Sequence, residues 1–134
     1  MLEHEELIRF TALLRDQESH AAAGLFAVAY DLMRSDLLPD YDCSRLQDDL
    51  TWFEKNLTVP KRLLDPETTK AISWFRPGAT EHIRRARSIE SILRDHGIST
   101  QVLRTDRPGR IVYEDEIQVV SIPDRDNRGS LRGL

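Results

Sequence analysis

The chain is poor in the residues that form covalent or metal cross-links, and it has no long apolar run. Cys43 is the single cysteine, so no internal disulfide can form, and a reducing cytoplasm is the expected compartment. The four histidines, His4, His20, His82 and His96, stand in no HxH or HExxH spacing, and no CxxC occurs. No metal and no cofactor is therefore expected. Apolar runs fall well short of the roughly 18 residues that a membrane helix needs. The acidic start MLEHEELIRF lacks the basic-then-apolar build of a signal peptide. The six glycines form neither GxGxxG nor a GKS/T loop, and no serine sits in GxSxG, so nucleotide and serine-hydrolase motifs are missing.

The 134 residues are 40% hydrophobic and 31% charged, the composition of a soluble globular protein long enough to bury a core without staples. The net charge of −4 is unevenly spread. Residues 1–70 carry eight Lys/Arg against fourteen Asp/Glu, whereas residues 71–134 carry eleven arginines, no lysine and nine Asp/Glu. The whole-chain charge argues against wrapping nucleic acid, while the second half can still present a basic face.

Periodicity organises the chain. In 6–15, Ile8, Phe10, Ala12 and Leu14 alternate as in a strand, although Leu7, Phe10 and Leu14 also share a helical face; the balance leans to a strand. From Ala21 to Ser35, Ala21, Leu25, Val28, Ala29 and Leu32 recur at helical spacing, with Ser19 as the expected cap. After a loop over 36–42, Ser44 and Gln47 have capping-box spacing and open a second helix to Leu57 with the stripe Leu46, Leu50, Phe53 and Leu57. Asn56 can close that helix, and a further helical turn is expected at Asp65-Pro66.

The second half reads as strand Ala71–Phe75, turn, helix from the cap Thr80 to about His96, and a left-handed stop at Gly97. Arg107-Pro108-Gly109-Arg110 is a turn signal, and strands follow on either side of a tight turn at Glu114-Asp115. The expected fold is α+β: a mixed sheet built from a β-α-β crossover and an antiparallel meander over 71–122, packed with two N-terminal helices at about 20–35 and 44–57. Residues 1–122 are expected to form a single compact domain and 123–134 a loose tail.

Three groups of residues bear on function. The loop Arg76, Gly78 and Thr80, with His82, Arg84 and Arg85 behind it, lies where backbone N–H groups at a strand end and a helix start favour anions. Glu81 can itself satisfy that positive end. Arg84, Arg87 and Arg94 form a stripe suited to phosphates, yet Glu81–Arg85, Arg87–Glu90 and Glu90–Arg94 have the spacing of ordinary helix ion pairs. The acids Glu114, Asp115 and Glu116 have the character of a hairpin tip that protects a sheet edge. Cys43 lies ahead of the expected second helix with no histidine partner, as a passive thiol.

The expected function is that of a small, soluble, non-catalytic binding or regulatory protein acting through protein contacts. Its partner is another protein or a second copy, and no membrane is involved. Trp52-Phe53 and Trp74-Phe75 support this reading, since neighbouring strand residues face opposite sides and both sides need cover. Two alternatives stand beside it: a nucleic-acid or phosphate-binding module using the arginine helix, and a small enzyme on an anionic substrate with His82 or Glu81 as proton carrier and Arg76 as clamp.

Overall fold

The structure is a computed structural model that describes residues 5–13, 22–58 and 71–123. Its elements in chain order are β1 (Leu7–Leu13), β2 (Ala22–Gly24), α1 (Leu25–Arg34), α2 (Asp40–Asn56), β3 (Ile72–Phe75), α3 (Thr80–Asp95), β4 (Thr100–Thr105), β5 (Arg110–Glu114) and β6 (Gln118–Ile122). The fold is α+β. The expected Ser19 cap, the Asp65-Pro66 turn and the tail at 124–134 lie outside the described residues. The described residues gather into two compact units, one of 5–9, 58, 71–80 and 104–123, the other of 10–13, 22–57 and 81–103.

In the first unit the strands run β1–β3–β6–β5, antiparallel throughout. Trp74 pairs with Val119 and Phe75 with Gln118 in register, and Trp74, Phe75, Val119 and Val120 are buried. Both aromatics at the end of β3 are thus covered within the chain itself. Asp115 shapes the turn between β5 and β6: its Oδ1 accepts the N–H groups of Ile117 and Gln118 at 2.8 and 2.9 Å, an Asx turn. The Tyr113 hydroxyl donates to its Oδ2 at 2.7 Å. Burial pushes the Asp115 carboxyl up, but the Tyr113 hydroxyl and the two amides together hold it below its ordinary value.

In the second unit, β1 pairs antiparallel with β2 from Thr11 to Leu13 and also pairs with β4, where the Leu13 N–H reaches the Ser99 carbonyl at 2.9 Å. Leu46, Leu50 and Phe53 of α2 and Ala86, Ile89, Ile92 and Leu93 of α3 are buried, the stripes that their 3.6-residue spacing requires. Helix α3 ends in a Schellman arrangement: Gly97 has φ +84, its N–H bonds Arg94 O, and the Ile98 N–H bonds Leu93 O.

The strand favoured for 6–15 is present over Leu7–Leu13. The elements depart from the sequence expectation in three places. Helix α1 starts at Leu25, because Ala22–Gly24 are drawn into pairing with β1. Helix α2 starts at Asp40, one turn before Ser44, with Pro39 ahead of it and Asp40 and Asp42 in the first turn, where acids complement the dipole. Thr80 is the first helical residue of α3 rather than its cap.

Strand β4 pairs with β1 rather than with β5 as a meander would have it, and the turn ahead of β5 is fixed at Gly109. That residue has φ +105, and its backbone lies so close to β6 that an added Cβ would collide with the Ile122 carbonyl and stand 2.9 Å from Pro123 Cα. Ser121 Oγ donates to Pro108 O at 2.8 Å. The Pro-Gly turn is thereby bound to β6, and β5 leaves it already paired there. Gly109→Ala is expected to destabilise the protein by about 1–3 kcal/mol, from strain at positive φ and the backbone collision. Urea unfolding measures this, and a loss below about 0.5 kcal/mol would show that the turn relaxes freely.

Candidate binding surfaces

Arg76, Gly78 and Thr80 belong to the first unit. Arg76 leaves β3 with its guanidinium already engaged: Nη1 meets the Glu5 carboxylate, Nη2 the Glu114 carboxylate at 2.7 Å, and Nε the Asp115 carbonyl at 2.7 Å. Three backbone amides of the loop are also used. Arg76 N–H reaches Ile117 O, Ala79 N–H reaches Arg76 O, and Thr80 N–H reaches Gly78 O, at 2.8–3.0 Å. An anion would have to displace these contacts. Gly78 is exposed, and a Cβ added there would meet nothing within 4 Å, so no close backbone approach explains that glycine.

His82, Arg84, Arg85, Arg87 and Arg94 belong to the second unit, and α3 sorts them into different environments. Arg85 turns inward. Its Nη1 bonds Asp49 Oδ1 at 3.1 Å and its Nε bonds Glu81 Oε2 at 3.2 Å. Its guanidinium carbon stands 5.2 Å from the Trp52 ring centroid, within cation–π range. The second oxygen of Asp49 accepts the Ser88 hydroxyl at 2.6 Å. Asp49 is only 6% exposed, so its charge is compensated from two positions one helical turn apart on α3.

His82 is buried as well. Its Nε2 donates to the Asn56 carbonyl at 2.8 Å, which fixes the Nε2–H tautomer for that contact, and its ring packs edge-on against Trp52 at 4.6 Å. The bond satisfies a carbonyl at the end of α2, where intrahelical partners run out. Asn56 Nδ2 also closes that end, on Trp52 O at 2.8 Å.

Arg84 and Arg87 keep side chains that are 64% and 54% exposed, and Arg94 is exposed too. Arg84 forks onto Glu81 at 2.5 and 3.1 Å. Arg87 lies 5.6 Å from the Phe10 ring centroid and 4.0 Å from Glu90. Glu90, expected as a solvated partner, is 1% exposed. Among the described residues it makes no ion pair with Arg94.

Sequence reasoning passed over two features. The imidazole of His96, at the end of α3, contacts Asp42 Oδ2 at 3.0 Å, and Asp42 also lies 3.5 Å from Arg45. Cys43 is not ahead of the helix but in its first turn, half-buried, with its N–H on Pro39 O. The second feature is the connection between α1 and α2 with the start of α2, where Leu37 and Tyr41 are 76% and 73% exposed. Asp36 there has φ +61. Ser35 Oγ donates to Leu32 O at 2.6 Å and accepts the Leu37 N–H at 3.3 Å, so the turn is held by local bonds. The expectation of a loop over 36–42 says nothing of its apolar residues; the LLPDY run is the signal that marks them.

Among the described residues, no group of three or more His, Cys, Asp or Glu could hold a metal ion, and no helix is long and apolar enough to cross a membrane. Compared with protein-family models, curated proteins and solved structures, the chain matches none.

Two outcomes are expected from this geometry. Asp49→Ala leaves Arg85 without its buried partner and Ser88 without an acceptor. It should cost about 2–4 kcal/mol by urea unfolding, and a double-mutant cycle with Arg85→Ala should return a coupling of about 1–3 kcal/mol. Strict additivity would break the account. Glu81, held chiefly by the Arg84 hydrogen bond, against some desolvation and with help from Arg85, is lowered to about 2. A depressed carboxyl stabilises the fold fully above its unfolded value and loses that contribution as pH falls to the folded one. The stability difference between wild type and Glu81→Gln should therefore be flat above about pH 4.5 and close between there and pH 2. Salt should shrink it, because the pair is exposed. A difference that has already vanished at pH 4 contradicts the assignment.

Proposed function

We propose that this chain is a small non-catalytic binding protein that works through contacts with other proteins, a second copy of itself being the first partner to test. The observation that carries the reading is the turn between α1 and α2. Leu37 and Tyr41 are the two most exposed large apolar side chains among the described residues; local hydrogen bonds order the backbone at Leu37, and Tyr41 stands in the first turn of α2. A pre-ordered apolar tip loses little entropy on association. Leu38 is half-buried beside it and Pro39 exposed, which widens the apolar surface. Trp74 and Phe75, which first suggested an interface, are buried and lend no support.

The reading is supported further by how the charges are spent. Arg76 and Arg85 lie in internal ion pairs, and His82 serves a helix end. The enzyme alternative required Arg76 to clamp an anion and His82 or Glu81 to move a proton. Nothing in the present contacts of those groups favours it. The exposed Arg84 and Arg87, with Arg94 on the same helix, keep a nucleic-acid reading in second place.

Sedimentation equilibrium tests the first reading. The wild type should dimerise in the micromolar range, and Leu37→Ser/Tyr41→Ser should weaken that at least about tenfold, with unchanged circular dichroism. A wild type that stays monomeric at several hundred micromolar would remove self-association. Heparin retention tests the second reading: Arg84→Ala/Arg87→Ala/Arg94→Ala should elute with the wild type. A large loss of retention, with wild-type affinity falling steeply as salt rises, would instead favour the nucleic-acid module.

A further inference from the structure

We draw no further inference here: the strongest candidate, the exposed apolar turn between α1 and α2 with the half-buried face of α1 leading into it, belongs to the surface already described, and nothing in the structure shows what chemistry covers it.

Discussion

A carboxylate taken out of water sets the terms for the helical unit. Asp49 on α2 is buried, and the cost of desolvating its charge is recovered only if both oxygens find donors in good geometry. Arg85 supplies one donor and Ser88 the other. Because those positions are three residues apart, they share a face of α3, so the acid fixes that helix in both rotation and height. Glu81 extends the arrangement one turn back through its contact with Arg85. Trp52 covers the guanidinium from α2, and His82 ties the start of α3 to the last carbonyls of α2. Apolar burial supplies most of the free energy between these helices, but it is non-directional. The polar contacts choose one alignment among the many that leucines and isoleucines would accept.

The same division of labour recurs in the strand unit. Arg76 gathers the Glu5 and Glu114 carboxylates and the Asp115 carbonyl, while Asp115 organises the hairpin through two backbone amides and a tyrosine hydroxyl. Gln118, buried in β6, donates to the Thr58 carbonyl and accepts from the Ser73 hydroxyl. The Arg76 and Gln118 contacts join residues distant in sequence, whereas those of Asp115 are local to the hairpin, and the Gln118 bonds satisfy a buried amide that would be expensive to leave alone. Charged residues here are connectors, so a count of arginines says little about ligands.

What could be read from the chain follows from the range of the forces concerned. The faces of α2 and α3, the glycine stop at Gly97 and the positive φ at Gly109 depend on residues within one or two turns, and the sequence expressed them. The start of α2 was misplaced because Ser44 and Gln47 satisfy a local capping pattern, while the actual start rests on Pro39 and the acids at 40 and 42. Three-residue β2 is too short to show a period, and its pairing with β1 takes Ala22–Gly24 out of the helix expected there. Glu90 shows the limit most clearly. Its spacing to Arg87 and Arg94 is that of a solvated pair, yet burial is a property of the packed helix that i,i+3 arithmetic does not contain. Asp49 and Arg85, thirty-six residues apart, carry no mutual signature at all.

That limit bears on the arginine helix as a functional candidate. A stripe read from sequence treats Arg84, Arg85, Arg87 and Arg94 as equivalent charges. Packing separates them: Arg85 is neutralised by a buried acid, Arg84 by Glu81, and Arg87 lies over Phe10 near Glu90. A phosphate approaching this face meets guanidinium groups whose hydrogen-bonding forks are partly filled, and must compete with carboxylates held at fixed distance. Apolar contact has no such competitor. Leu37 and Tyr41 are exposed, Tyr41 with the Arg45 guanidinium 5.7 Å from its ring centroid, and covering apolar area is favourable in proportion to its extent. The comparison is therefore between a basic face already in part compensated by its own chain and an exposed apolar tip at which Arg45 stands over the Tyr41 ring, and on that ground we place the proposal of protein contact ahead of anion binding.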